Sequence, residues 1–173
     1  MFIEISQKYK SLDVLINNAA KQTISKWSTM TENEFDSVID TNLKGSYYCM
    51  KHASNIMSSN SNITNILSIY YNKPRLDKYH YDASKSGLAQ LTKEAALALG
   101  KDGITVNGIY PGYAITPMNK NSDHTKALSK NILKNHNIIK SETFAKAVIS
   151  YIENFALITT GQILGVDGGR SLN

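Results

Sequence analysis

Four short and nearly continuous apolar runs divide the chain, and helical patterns fill the spaces between them. The runs cover residues 12–17, 62–68, 104–110 and 162–166. Short runs of this kind are typical of strands in a parallel sheet whose two faces are both covered. We therefore predict four strands and expect the first, at residues 12–17, to be buried on both faces.

Helical patterns separate these runs. Thr31 and Glu34 have the spacing of a capping box, so we predict a helix that begins after Thr31 and continues through Asn42 to about Met57. Further helices are predicted at residues 79–99 and 141–154. Strands that alternate with helices predict an α/β fold, in which a parallel sheet carries helices on both faces.

The composition is that of a single globular domain, which we assign to residues 1–173. Hydrophobic residues make up 42% and charged residues 19% of the chain, with no repeat or low-complexity run. The first residues lack the features of a secretory signal, and no stretch reaches the roughly 20 apolar residues of a membrane span. One cysteine, Cys49, and four histidines without ligand spacing predict a cytoplasmic protein with no disulfide and no metal site.

The net charge of +5 would suit a nucleic-acid-binding protein. The lysines, however, are scattered along the chain and form neither a basic run nor a recognisable reading helix. We therefore expect no nucleic-acid partner.

Tyr81 and Lys85 are the residues that say most about chemistry. A helix would place them on one face, because they are four residues apart. A free tyrosine has a pKa of about 10, and a nearby cation lowers that pKa towards the range in which a phenol exchanges protons near neutrality. A chance pair on the surface is the alternative. Ser68 ends the second predicted strand, thirteen residues before Tyr81, where it could bond the same substrate oxygen.

Further motifs surround this pair in a definite order. They are Asn17-Asn18-Ala19-Ala20, Asn42 in Asp-Thr-Asn-Leu-Lys-Gly, Asn107-Gly108 with Pro111-Gly112, Thr116-Pro117-Met118, and the segment 160–169. Together with Ser68, Tyr81 and Lys85, these motifs resemble the short-chain dehydrogenase/reductase family from about Leu12 to Gly169. The resemblance implies a Rossmann-like, doubly wound parallel sheet.

The resemblance also implies a catalytic tetrad of Asn42, Ser68, Tyr81 and Lys85. In that tetrad Tyr81 is the general acid/base, and Ser68 orients the carbonyl or hydroxyl group of a small-molecule substrate. Lys85 lowers the pKa of Tyr81 and binds the nicotinamide ribose, while Asn42 holds a water that extends the proton relay. The implied function is an NAD(P)-dependent oxidoreductase that acts on an alcohol/carbonyl pair.

NAD or NADP is the cofactor that the resemblance implies. Besides Tyr81 and Lys85, it assigns cofactor binding to Asn18, Ala19, Pro111, Gly112, Ala114 and Thr116. On their own, Asn17-Asn18 and Pro111-Gly112 could also be ordinary turns. The choice between NAD and NADP stays open, because the residues that discriminate them in the family have no counterpart in this sequence.

The sequence departs from the family pattern at its start. Family members open with a strand, a Thr-Gly-x-x-x-Gly-x-Gly turn and a helix whose N-terminus holds the pyrophosphate. Here residues 1–5 resemble the helix before the fourth strand of such a fold. We therefore expect an N-terminally truncated fold that lacks about two βα units, or roughly 60 to 75 residues. Ala20 also stands where the family usually has glycine.

Two functional hypotheses result. The first is the oxidoreductase, for which segments 69–80 and 119–137 would line the substrate pocket. Segment 68–74 loosely resembles glucose dehydrogenase-like members, and segment 160–169 resembles 3-oxoacyl-carrier-protein reductases, so the substrate stays undefined. The alternative is a catalytically silent remnant that folds or dimerises without cofactor, because residues 14–16 would form an exposed apolar edge if no strand lay beside them.

The resemblance implies a homodimer or a homotetramer. In the family, the helices that carry the Asn and the Tyr-Lys pair form the interface between subunits. The small and apolar residues that fit this role here are Ala89, Leu91, Ala95, Ala96 and Leu99. Core packing within one chain is the alternative, and periodicity cannot separate the two.

Overall fold

The computed structural model describes residues 1–116, 133 and 139–172. In this part of the chain four parallel strands form one sheet in the order β1-β2-β3-β4, namely β1 (Val14–Asn17), β2 (Ser61–Ile66), β3 (Ile104–Pro111) and β4 (Ile163–Val166). The helices are α1 (Phe2–Lys8), α2 (Glu32–Ile39), α3 (Gly45–Ser54), α4 (Tyr79–Leu99) and α5 (Ser141–Asn154). The predicted Rossmann-like α/β fold with a parallel sheet is confirmed.

Side chains of the central strands pack in two hydrophobic cores, one on each face of the sheet. Ile63 of β2 and Val106 of β3 pack on one face with residues of α3 and α4. Ile66 of β2 and Ile109 of β3 point to the other face and pack with residues of α5. Successive side chains of a strand point to opposite faces, so each central strand contributes to both cores.

The predicted helix around Asn42 is built from three consecutive pieces. It starts at the capping box, in which the Glu34 amide donates to Thr31 Oγ1 at 3.3 Å and the Thr31 amide donates to Glu34 Oε2 at 2.9 Å. A π-helical turn, Asp40–Lys44, then joins α2 to α3 and contains Asn42. A widened turn of this kind redirects the side chains that follow it, and such turns are frequent at functional sites.

The structure corrects the expectation for the first strand. β1 begins at Val14, and the side chains of Val14 and Ile16 are 38% and 42% exposed, so the strand is not buried on both faces. Within the described residues β1 pairs only with β2 and therefore lies at the edge of the sheet. An edge strand keeps apolar side chains exposed where no further element covers it.

The residues assigned to a subunit interface pack inside the chain itself. Ala89 and Ala96 are buried in the core on the α4 face of the sheet, and Leu91, Ala95 and Leu99 pack against that core. The structure therefore favours the core-packing alternative for Ala89 and Ala96, whereas the other three positions keep part of their surface exposed. In the described part of the chain, no helix is both long and apolar enough to cross a membrane.

Candidate active site

A cavity of about 900 Å³ opens at the carboxyl ends of the first three strands. Asn18 follows β1, Ser68 follows β2, and Gly112 follows β3, and all three line this cavity. Phe144 and Val148 of α5 contribute an apolar wall. In open parallel α/β sheets, ligands bind at this end of the strands.

Ser68 and Tyr81 meet in this cavity. Ser68 lies two residues beyond β2 with an extended backbone, and its Oγ accepts a hydrogen bond from the Tyr70 amide at 3.3 Å. Tyr81 lies in the first turn of α4. Burial raises the pKa of the Tyr81 phenol, while the positive charge of Arg75 and a hydrogen bond with Ser68 act to lower it. The phenol therefore holds its proton at neutral pH.

Lys85 is buried one helical turn after Tyr81, with 2% of its surface exposed. Its Nζ donates to the Ile66 carbonyl oxygen at 2.6 Å and lies 5.9 Å from the centroid of the Tyr81 ring. Burial lowers the pKa of Lys85 to about 8, because a low-dielectric site disfavours the charged form. Because Lys85 is buried, Tyr81 and Lys85 are not a chance pair on the protein surface.

Asn42 is completely buried behind the cavity and does not line it. Its Oδ1 accepts from the Lys21 amide at 2.7 Å, and its Nδ2 donates to the Lys21 carbonyl oxygen at 3.0 Å and to Ser84 Oγ at 2.9 Å. Ser84 Oγ in turn donates to the Tyr81 carbonyl oxygen at 2.7 Å. The Asn42 side chain thus connects the segment after β1 with the first turns of α4.

The residues assigned to cofactor binding divide into two groups. Asn18, Pro111, Gly112, Ala114 and Thr116 line the cavity with Tyr81 and Lys85, whereas Ala19 does not. A Cβ atom on Gly112 would lie 2.8 Å from the Asp167 backbone, so glycine allows the ends of β3 and β4 to approach closely. Pro117, Met118 and segment 119–137, apart from Leu133, lie outside the described residues.

The lining fits the nicotinamide half of a dinucleotide. Ile16 and Ile66 give an apolar surface for a flat ring, and polar backbone follows β3 at Gly112. Lys85 uses one of its three N–H groups on the Ile66 carbonyl oxygen, and within the described residues the other two have no hydrogen-bond partner. They are available to ligand hydroxyl groups.

Sequence reasoning missed Arg75 and Lys78, which also line the cavity. The Arg75 guanidinium lies 3.8 Å from the centroid of the Tyr70 ring and 5.3 Å from that of Tyr81. Lys78 has its pKa lowered to about 8, first by burial and then by the nearby charge of Arg75. The only feature of the sequence that pointed to these two residues was their position in segment 69–80, which we expected to line the substrate pocket.

The fold and the site define a Rossmann-like α/β protein with a tyrosine and a buried lysine at the carboxyl ends of its strands. The family model described as enoyl-(acyl carrier protein) reductase matches residues 1–171. The 3-oxoacyl-[acyl-carrier-protein] reductase FabG of Staphylococcus aureus is 34% identical over 172 residues, which cover 98% of this chain and 70% of that protein. The chain belongs to the short-chain dehydrogenase/reductase family, whose members are oxidoreductases.

Two examples represent the solved structures that are similar to this chain. One is 4-hydroxyisoleucine dehydrogenase complexed with NADH, with a TM-score of 0.87 and 25% identity, covering 99% of this chain and 74% of that one. The other is a short-chain dehydrogenase from Burkholderia cenocepacia in complex with NADP, with a TM-score of 0.89 and 25% identity, covering 98% of this chain and 69% of that one.

Proposed function

We propose that the chain acts as an NAD(P)-dependent oxidoreductase on an alcohol/carbonyl pair, with Tyr81 as the general acid/base. The observation that carries this proposal is the convergence of Ser68, Tyr81 and buried Lys85 on one cavity at the carboxyl ends of the strands. The NADH and NADP complexes of the two structural relatives support a nicotinamide cofactor.

A bound nicotinamide cofactor would supply the hydride for reduction, or accept it for oxidation. Ser68 Oγ and the Tyr81 hydroxyl would hold the substrate oxygen between them. During reduction Tyr81 gives its proton to that oxygen, so the carbonyl compound, NAD(P)H and one proton yield the alcohol and NAD(P)⁺. Lys85 would bind ribose hydroxyls and stabilise the phenolate that remains.

The protonation state of Tyr81 near neutral pH is the one that reduction requires. Burial raises the pKa of Tyr81, so the proton that reduction requires is already on the phenol. Oxidation requires the phenolate and should accelerate as the pH rises. In this mechanism Asn42 is a positioning residue, because its side chain is bonded to Lys21 and Ser84 rather than directed into the cavity.

The proposal is tested first by titrating the 173-residue chain with NADH and NADPH, following nicotinamide fluorescence. Saturable binding is expected, because the Lys85 ammonium and the apolar surface of Ile16 and Ile66 form the nicotinamide end of the site. The tighter ligand also settles the choice between NAD and NADP. Absence of binding up to millimolar cofactor would contradict the proposal and favour the catalytically silent chain.

A further inference from the structure

The side chains that line the cavity carry an excess of positive charge. Among its described lining residues are Arg75, Lys78, Lys85 and Arg170, and none of the described lining residues is Asp or Glu. Lys85 lies at the proposed nicotinamide end, whereas Arg75 and Lys78 belong to the loop that leads to Tyr81. A cavity lined by one sign of charge concentrates ligands of the opposite sign.

The Arg75 guanidinium is held in place before any ligand arrives. Its Nε donates to Asp82 Oδ1 and Oδ2 at 3.0 and 3.1 Å, and its Nη2 donates to Asp82 Oδ1 at 2.9 Å and to Gln22 Oε1 at 3.2 Å. The Tyr70 ring supports its flat face. Nη1 has no hydrogen-bond partner among the described residues, so its N–H groups stay available to the oxygen of an anion.

The position of Arg75 relative to Tyr81 sets the distance at which an anion would bind. The guanidinium carbon lies 5.3 Å from the centroid of the Tyr81 ring. A carbonyl oxygen bonded to Tyr81 would therefore place a carboxylate only a few bonds away within reach of Arg75. The negative charge of Asp82 offsets the positive charge of Arg75. The charge of Lys78 then leaves the three side chains together with a net positive charge.

We propose that Arg75 and Lys78 form a subsite for an anionic group of the substrate, and that the substrate is an oxo acid or the corresponding hydroxy acid. This inference rests on the proposed function, because the subsite is defined by its distance from Tyr81. Two alternatives predict different results: the Arg75–Asp82 pair only fixes the loop, or the subsite binds a phosphate group of the cofactor.

The test compares acetoacetate with methyl acetoacetate, which differ by one carboxylate charge. Calorimetry measures the binding of each to the wild-type chain and to Arg75→Gln, with and without NADPH. The wild type is expected to bind the acid more tightly than the ester. Arg75→Gln should weaken binding of the acid by about tenfold to a hundredfold, the effect of losing a charge-assisted hydrogen bond, and should change ester binding far less.

Three control variants separate binding from folding. Arg75→Gln leaves the largely buried Asp82 without its partner, so the double variant Arg75→Gln/Asp82→Asn removes both charges and should lose the preference for the acid while folding normally. Asp82→Asn releases Arg75 and should bind the acid at least as tightly as the wild type. Lys93→Gln removes a positive charge from the exposed face of α4 and should bind both ligands unchanged.

Equal binding of acid and ester by the wild type would overturn the proposal, as would equal weakening of both in Arg75→Gln. Weaker NADPH binding in Arg75→Gln, with an unchanged ratio of acid to ester binding, would assign the anion to the cofactor and overturn it too. Tyr81→Phe should lose turnover but keep the preference for the acid. If NADPH does not bind while the acid preference persists, the proposed function fails and the subsite stands.

Discussion

At the scale of single residues, the proposed role of Tyr81 predicts a specific defect. Tyr81→Phe keeps the ring but removes the proton, so turnover should fall by about a hundredfold to ten-thousandfold, the usual contribution of general acid–base catalysis. Cofactor affinity should fall far less than turnover, because Lys85 and the apolar lining of the cavity remain. The measurement is the rate of NAD(P)H oxidation with a saturating carbonyl substrate, together with the cofactor dissociation constant.

Tyr79→Phe is the matched control for this experiment. Tyr79 is the first residue of the same helix, and its replacement by Phe also removes one phenol hydroxyl. Its ring, however, packs edge-on against Trp27 outside the cavity. It should retain the wild-type rate. Full activity of Tyr81→Phe would show that another group handles the proton.

Because Lys85 is buried, we predict that the stability of the folded chain increases as the pH rises above 7. The pKa of Lys85 is about 8 in the folded chain, against 10.5 for an ordinary lysine. Between these values the unfolded chain binds more protons, so the free energy of unfolding rises with pH. Relative to Lys85→Met, the wild type should gain about 2 to 3 kcal/mol between pH 7 and pH 10.

Urea unfolding of both proteins at the two pH values measures this difference. Lys78 and the tyrosines titrate in both proteins, so their contributions cancel when the wild type and Lys85→Met are compared. A difference that does not change with pH would mean that Lys85 keeps its proton in the folded chain throughout this range.

Residues of the site were predictable where local spacing determines them. Tyr81 and Lys85 share a face because one helix carries both, and Ser68 is placed by the end of β2. Arg75 was not predictable, because its position depends on Asp82 seven residues away and on Gln22 from the segment after β1. Contacts between separate segments leave no periodic signal in a sequence.

At the scale of elements, Asn42 joins three parts of the fold through one side chain. Asn42→Ala would leave the Lys21 amide and carbonyl groups without the partners that they have in the structure. Each hydrogen bond lost costs about 0.5 to 1.5 kcal/mol, and two bonds to Lys21 and one to Ser84 are lost, so the free energy of unfolding should fall by about 1 to 3 kcal/mol. Hydrogen exchange at the Lys21 amide should also accelerate, because the bond to Asn42 Oδ1 protects it.

Asn33→Ala provides the comparison, because Asn33 is an exposed residue of α2. That variant should unfold at the same urea concentration as the wild type, or slightly above it, since alanine is the better helix former. If Asn42→Ala loses activity without any change in stability or in Lys21 exchange, Asn42 acts in the chemistry itself and is not a positioning residue.

The elements differ in how far the sequence predicted them. The bounds of α4 and α5 agree with prediction, because apolar residues at helical spacing mark both helices locally and Gly100 follows the end of α4. The exposure of β1 did not agree, because burial depends on which elements lie beside a strand. The polar residues of fully buried β2 depend on distant partners too: Asn65 bonds to Asn17 and Thr92.

At the scale of the whole molecule, the exposed edge of the sheet is the surface that most favours association. Among the residues that the structure describes, no strand pairs with the outer side of β1, and Val14 and Ile16 add apolar surface beside it. Of the α4 residues that the resemblance assigned to an interface, Ala89 and Ala96 are buried in the chain's own core, and the other three pack against that core. We therefore propose that self-association of this chain, as a homodimer or a larger oligomer, uses the β1 edge.

Sedimentation velocity tests this proposal on the 173-residue chain, whose monomer mass is 19.2 kDa. The wild type should sediment as a species larger than the monomer. Val14→Lys should shift it towards the monomer, because a charged side chain on an edge strand opposes pairing with another strand. Leu97→Lys is the control on α4, where Leu97 is 83% exposed, and it should leave the wild-type distribution unchanged. If Leu97→Lys dissociates the oligomer and Val14→Lys does not, the interface lies on α4. A monomeric wild type would show that the β1 edge does not drive association.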